Sequence, residues 1–459
     1  MSTSWVVATG EEQCTLLPTV SSTRSGAGSD EETPNGTIRT KVKLRQLQRG
    51  SRAPLPLPRN LRRLGCCTLS VFFMVLMLLV YLPLMDVRKR CAGLPDWTLE
   101  TSRSVSDYID AGPALIVPKD FCRNKTFLVI AVCTGMGNFV QRQTIRETWG
   151  NTTEFNYPAF VKLHGHLKGS YLDVMPSRLK MYADYFNGTD STLTATVRIV
   201  FILGRNKDES LVGNETLTRI HNEAEQYNDI IQENFVDSYN NLTLKSVMAL
   251  KHVARSCFNS TAFFLKCDDD TFVNIPNLLH FLLGGTIPLY NDTLDYHDRT
   301  TYLAKLPSNR LNASTEVMYG HQFCKVTPVS DVTSKWYMPA YMYAPTAYPK
   351  YLSGAGYLLS IDVVQRLYEA ALNTTLVYLE DVYITGLCAQ RAGIPRHHHP
   401  LFSFSHSKHL CAFKGTIAQH QVKDDSMAEA WNFVSDYSIK CPPPERFFSQ
   451  IRLRKRPVC

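Results

Sequence analysis

The sequence predicts an α/β domain built on a mostly parallel sheet and preceded by one membrane-spanning helix. Three observations carry that expectation. Leu64 to Leu84, "LGCCTLSVFFMVLMLLVYLPL", is an uncharged apolar run, about the 20 residues that cross a bilayer as a helix. Beyond it, continuous apolar runs of strand length recur from Thr126, Val197 and Thr261, as in strands covered on both faces. Helical patterns separate these runs, and strands alternating with helices indicate a parallel sheet.

Residues 1–63 are rich in Ser, Thr, Gly, Pro and Arg without apolar periodicity, which predicts a disordered cytosolic tail. The span at 64–84 lies too deep for a cleaved leader and reads as a signal anchor. Arg45, Arg49, Arg52, Arg59, Arg62 and Arg63 precede it, against Arg88, Lys89, Arg90 and Arg103 after it. That balance leans toward a cytosolic N-terminus. Asn-x-Ser/Thr sequons stand at Asn124, Asn151, Asn187, Asn214, Asn241, Asn259, Asn291, Asn312 and Asn373, with one before the span at Asn35. Their density fits a lumenal C-terminal part. Ten of the 13 cysteines also follow the span, without a CxxC pattern, so disulfides are expected rather than zinc. These features predict a single-pass type II membrane protein.

Residues 85–120, with Pro95, Pro113 and Pro118, read as a lumenal stem, and 121–459 as the globular domain. In that domain "TFLVIAVCT" predicts the first strand, "FVQRQTIRETWG" a helix, and "VRIVFILG" a second strand. Glu215 to Phe235 is polar and charged, which predicts one or two helices. Leu244, Val247, Met248, Leu250 and Ala254 recur at helical spacing as a core-facing stripe. "TAFFLKC" is the next strand, and polar stretches near 162–195 and 285–316 read as loop insertions. The net charge of +8 is concentrated in the first 63 residues and the last few. No basic stripe interleaved with aromatics crosses the body of the chain, which argues against nucleic-acid binding.

Three aspartates, Asp268, Asp269 and Asp270, end the third apolar run in "FLKCDDDTFVN". In parallel sheets ligands bind beyond the C-terminal strand ends. Two carboxylates two residues apart can converge there on one divalent cation and, through it, on phosphate; a turn or helix cap would equally use Asp. Glu380 and Asp381 precede an apolar helical face in "YLEDVYITGLCAQRAGIP". They are dipole-favoured acids at a helix start or, for an ionised carboxylate, a general base. Gly354 and Gly356 in "YPKYLSGAGYLLS" permit close backbone approach to a ligand or a tight turn. "RHHHP" reads as a solvated tract, and His420 in "IAQHQVK" gains meaning only from its surroundings.

Taken in order, "RQTIRETWG", "FVDSYNNLTLKS", "FLKCDDDTFVN", "YPKYLSGAGYLLS", "YLEDVYITGLCAQRAGI" and "HQVK" followed by Trp431 resemble the β-1,3-galactosyltransferase family. These inverting Golgi glycosyltransferases include β-1,3-N-acetylglucosaminyltransferases. The match spans about residues 126–435. The resemblance implies a GT-A-type nucleotide-sugar-binding fold, a divalent ion, usually Mn²⁺, and a donor that is UDP-galactose or UDP-N-acetylglucosamine. The acceptor would be a glycan on a glycoprotein or glycolipid at the Golgi membrane. Carried over, Asp270 would be the principal metal ligand. Asp268 would assist it and contact the donor's ribose, and His420 would complete the site. Asp269 would face the donor sugar and Asp381 would be the catalytic base. Arg142, Arg146 and Lys266 would bind the donor, although Arg142 and Arg146, a helical turn apart, equally suit structural ion pairs. Trp149 suits packing. Tyr348-Pro349-Lys350-Tyr351 departs from the family's paired prolines.

Two rival readings stand beside this one. An aspartyl-phosphate-forming phosphatase would need Thr or Val where Phe272 stands. A glycan-binding ectodomain without activity would not need Asp268, Asp270, Asp381 and His420 all to be present.

Overall fold

The computed structural model describes residues 71–79, 105–109, 112–188, 192–206, 213–290, 293, 309–405, 407 and 409–443. The chain divides into two compact units, Met1–Leu94 and Pro95–Cys459. In the first, residues 71–79 form a helix with every apolar side chain exposed. The rest of the expected span and the 1–63 tail lie outside the described residues. Among the described residues no helix is long and apolar enough to cross a membrane.

The second unit is built on β1 (Thr126–Cys133), β4 (Val197–Arg205), β5 (Ile230–Val236), β6 (Thr261–Asp268), β8 (Met318–Phe323), β9 (Tyr351–Ser360) and β10 (His397–His398). They form one sheet in the order β10-β8-β9-β6-β1-β4-β5. β1, β4, β5 and β6 are mutually parallel, β9 runs antiparallel to β6 and β8, and β10 is parallel to β8. The sheet is therefore mostly parallel, as expected. Every residue of β1 is buried, because Leu128, Ile130 and Val132 face one core and Val129 and Ala131 the other. Period-two alternation places successive side chains on opposite faces. A strand covered twice must be apolar throughout.

Helices cover both faces. Ile145 of α2 (Phe139–Glu147), α5 (Ile275–Leu282) and α7 (Asp424–Ser435) pack into the first core. α4 (Leu242–Ser256) and α6 (Ile361–Leu372) fill the second, with the expected Leu244–Val247–Met248–Leu250–Ala254 stripe buried. Trp149 is fully buried, in keeping with packing.

Three local expectations are corrected. Glu215 to Phe235 is not helical throughout, because α3 (Gly213–Tyr227) is followed by β5. The strand was hidden by its polar residues, which find partners only in the fold. Buried Glu233 meets Lys251 at 2.5 Å and His252 at 2.7 Å, and the Gln232 amide donates to the Gly204 carbonyl at 3.1 Å. The 162–195 stretch is not a simple loop. It holds a helix at Pro176–Met181 and a hairpin of β2 (Phe186–Asn187) and β3 (Thr194–Ala195), with Leu163, Arg178 and Ala195 buried. In the 285–316 stretch Ile287, Tyr290 and Leu311 are buried, and most of residues 291–308 lie outside the described set.

Within the expected stem, α1 (Val105–Ile109) buries Val105 and Ile109 in the second core. Ile116 bridges to Gln232, so part of that segment belongs to the globular unit and covers the β5 edge. Disulfides join Cys122 to Cys257 and Cys411 to Cys441.

Candidate active site

The site begins where two apolar strands stop. β6 and β1 run parallel with Cys133 opposite Asp268, so Asp268, Asp269 and Asp270 turn outward beside the loop that leaves β1. The chain then enters β7 (Phe272–Val273), which pairs antiparallel with β12 (Ala418–Gln419). β12 also pairs with β11 (Phe402–Ser403). Gln419 lies opposite Phe272, so the next residue, His420, runs back past the aspartates. Gln421 follows in the left-handed region at φ 61°, uncommon for a residue other than glycine. The Val422 N–H then closes onto the Asp270 carbonyl at 2.8 Å.

This pairing brings three potential ligands together. His420 Nε2 lies 3.2 Å from Asp270 Oδ1 and 4.0 Å from Asp268 Oδ2. One ligand atom from each of Asp268, Asp270 and His420 lies within 4.8 Å of the others. His420 Nδ1 donates to the Phe404 carbonyl at 3.1 Å, which turns Nε2 toward the carboxylates, as metal-binding histidines are oriented. Two hard carboxylates and an imidazole, all half-buried, suit a divalent cation such as Mn²⁺. Burial, the largest single influence, raises the Asp270 carboxyl, but the His420 hydrogen bond and charge, a backbone hydrogen bond and the Lys266 charge together hold it below its ordinary value.

Asp269 points elsewhere. Its Oδ2 accepts from Thr134 Oγ1 at 2.6 Å and Asn138 Nδ2 at 2.8 Å, both on the loop after β1. Its carboxyl is raised, chiefly by burial. The expectation that Asp269 faces a donor sugar therefore meets a side chain tied to that loop.

Lys266, 1 % exposed, lies behind the aspartates. Its ammonium donates to Asp268 Oδ1 and to the Gly354 carbonyl, each at 2.7 Å. Burial alone would lower its pKa, but Asp268 and Glu380 hold it well above the ordinary value. It touches Asp268 from inside the fold and is placed to orient that carboxylate.

Arg142 and Arg146 take the ion-pairing alternative. Arg142 is fully buried. It bonds Glu223 at 2.8 and 2.7 Å and caps the carbonyls of Gly135 and Met136 at 2.7 and 3.3 Å. Arg146 bonds Glu223 at 2.7 Å and Asp229 at 2.8 and 2.9 Å, stacked on Tyr227 and Phe201. In this arrangement both guanidinium groups are satisfied within the fold. Of the two expected roles the structure displays the ion-pairing one, with the acidic partners on α3 and just before β5, far along the chain.

Asp381 caps a π-helix, Val382–Cys388, with Oδ1 accepting from the Val382 N–H at 2.8 Å. Such segments are rare and recur at functional sites. Thr385 Oγ1 bonds the Asp381 carbonyl at 2.6 Å and accepts from the Leu352 N–H at 2.8 Å, which fastens the turn to β9. Burial and the adjacent Glu380 charge push the Asp381 carboxyl up to about 7. A carboxylate of that basicity is poised to accept a proton near neutral pH.

The glycines of β9 are corrected too. A Cβ on Gly354 would lie 2.9 Å from Glu380 Oε2 and 3.4 Å from Asp381 Cβ, so Gly354 admits the acidic turn rather than a ligand. A Cβ on Gly356 would meet only ordinary contacts. Sequence reasoning also passed over Lys245, whose ammonium bonds the Thr134 carbonyl at 2.6 Å and Asp237 at 2.7 Å and so holds the loop after β1. A lysine on the helix after "FVDSYNN" was the signal available.

A family model described as galactosyltransferase matches residues 178–294 and 292–400. The chain is 32 % identical to beta-1,3-galactosyltransferase 1 of Homo sapiens over 318 residues, covering 68 % of this chain and 75 % of that one. It is 30 % identical over 319 residues to lactosylceramide 1,3-N-acetyl-beta-D-glucosaminyltransferase A of Danio rerio, covering 68 % of each. Among solved structures, the WbbM bifunctional glycosyltransferase is similar at 10 % identity over 70 % of this chain and 51 % of that one. The TM-score is 0.26. With a relative at this identity covered over three quarters of its length, and with the acidic trio and a basic carboxylate gathered at one end of the sheet, the chain belongs to the β-1,3-glycosyltransferase family and is a β-1,3-glycosyltransferase.

Proposed function

We propose that the protein is a Mn²⁺-dependent inverting enzyme that moves galactose from UDP-galactose to the 3-hydroxyl of an acceptor sugar on a glycoprotein or glycolipid. The single observation that carries this reading is the meeting of Asp268, Asp270 and His420 at one strand end, with Asp381 held basic on the adjoining turn. Asp268, Asp270 and His420 would hold the cation, which when bound supplies positive charge to offset the diphosphate of the leaving UDP. Lys266 orients Asp268, and Asp269 fixes the loop after β1. Asp381 accepts the proton of the acceptor 3-hydroxyl as that oxygen forms the new bond to the anomeric carbon and the bond to UDP breaks. A single displacement turns an α-linked donor into a β-1,3 linkage. The mostly parallel sheet with helices on both faces fits a GT-A-type domain.

UDP-N-acetylglucosamine is the second reading for the donor, favoured by relatives named as N-acetylglucosaminyltransferases. The uncharged run at 64–84 and the sequons beyond it support a Golgi membrane protein, single-pass type II, with the catalytic unit lumenal. The test is a donor screen. The full-length protein in detergent, with Mn²⁺ and an acceptor panel, transfers sugar from UDP-galactose. Transfer from UDP-N-acetylglucosamine alone selects the second donor, and transfer from neither overturns the reading.

A further inference from the structure

The buried charges behind the site are connected in a way that neither metal binding nor proton transfer alone requires. Besides Asp268 and the Gly354 carbonyl, the Lys266 ammonium faces Glu380 Oε2 at 3.5 Å. Gly354 carries the connection onward, since its own backbone also bonds the Asp381 carboxylate. Gly354 therefore touches the lysine behind Asp268 through its carbonyl and the turn that bears Asp381 through its N–H. Glu380 is 4 % exposed. Its Oε1 accepts from the Tyr357 hydroxyl at 2.8 Å, Oε2 faces Lys266 at 3.5 Å, and the Ser246 hydroxyl also acts on the carboxylate. A buried carboxylate is costly unless a partner offsets its charge. The absent side chain at Gly354 is what lets Glu380 and Asp381 come this close to β9.

We propose that Lys266, Gly354 and Glu380 form a positioning unit that holds the metal-side carboxylate Asp268 and the base Asp381 in one frame, with Glu380 setting the base. The inference rests on the roles given to Asp268 and Asp381 above. Five ionisable groups face Asp381. They are Glu380 on its own turn, Lys266 on β6, Tyr348 and Tyr351 on and before the first residue of β9, and Tyr239 after β5. The three tyrosines are raised and stay neutral across the working range. Glu380 is thus the negative neighbour whose removal lets Asp381 ionise more readily.

The test uses the full-length protein in detergent, Mn²⁺ and the donor that the wild type transfers. Glu380→Gln keeps the shape and removes the charge. It lowers kcat about 10- to 100-fold, the range that misplacing a catalytic group produces. The KM for the donor and Mn²⁺-dependent UDP affinity, read by calorimetry, stay within about twofold, a change too small to reflect lost donor contacts. The acid limb of the kcat profile moves to lower pH, a change that a merely structural role would not produce. Lys266→Met lowers the thermal midpoint by stranding Glu380. Lys266→Met with Glu380→Gln recovers part of the midpoint, since the buried carboxylate left without its cation is gone while Asp268 and the Gly354 carbonyl stay without the lysine, and it does not recover kcat. If Glu380→Gln matches the wild type in kcat and pH profile, or if the double variant regains wild-type kcat, the inference is overturned while the donor reading stands. A wild type that transfers no sugar overturns the donor reading and the inference with it.

Discussion

Around Arg142, two guanidinium groups meet two carboxylates, Glu223 and Asp229. Around Lys266, one ammonium meets Asp268 and Glu380, with Asp269, Asp270 and Asp381 gathered at the same end of the sheet. Both regions pair basic side chains with carboxylates and flank the same loop after β1, yet they do different work. The first is balanced in charge and largely buried, and every guanidinium nitrogen of Arg142 and Arg146 already has a partner inside the fold. The second carries more negative charge than Lys266 and His420 can offset, and four of its five acidic side chains are only half-buried. An unbalanced, partly open cluster invites a cation, and perturbed titrations mark it as a site. A balanced, closed one holds the fold together.

The largest effect that would sharpen this contrast is at Asp270. Asp270→Ala removes a ligand and leaves His420 without its carboxylate. Mn²⁺-dependent UDP binding, read by calorimetry, is expected to vanish together with transfer. UDP binding at wild-type affinity in that variant would place the cation elsewhere.

Next comes Asp381→Asn, which keeps the acceptor atom for the Val382 N–H but removes the base. Transfer should fall about 10²- to 10⁴-fold while UDP and Mn²⁺ bind as before. Normal turnover would remove Asp381 from the mechanism.

Arg142→Met breaks the balanced cluster by stranding part of Glu223 in the interior. A buried pair broken on one side costs about 3–5 kcal/mol, read as a lower denaturant midpoint. The fraction that remains folded should bind UDP nearly as well as the wild type. A variant of wild-type stability that fails to bind UDP would return Arg142 to the donor site.

The smallest effect is in pH. Asp381 acts as a base only when ionised, and its carboxyl is raised to about 7. The rate should therefore rise about tenfold per pH unit below that value and level off above it. A flat profile from pH 5 to 8 would break the link between the buried turn and proton transfer.

Much of the fold was legible along the chain because burial on both faces forces a strand to be apolar from end to end. β1, β4 and β6 and the stripe of α4 announce themselves in this way. β5 does not, since Glu233 and Gln232 are tolerated there only through Lys251, His252 and the Gly204 carbonyl. The aspartates were visible at a strand end, and Asp381 was visible as an acid before an apolar helical run. That this run winds as a π-helix pinned by Thr385 was not, because a π-turn and an α-turn bury much the same residues.

By itself, the sequence determined the residue types, the apolar strand that ends in three aspartates, and the acidic pair ahead of a buried helix. Only the tertiary structure decided which charges face which. His420 reaches Asp270 because β12 pairs with β7. Arg142 turns away from the site because Glu223 waits inside the fold. Lys266 stands between Asp268 and Glu380 because β9 runs antiparallel beside β6. Apolar burial is written locally, in the period of side chains along each strand and helix. Electrostatic partnership depends on strand order and register, which bring together residues that lie far apart in the chain.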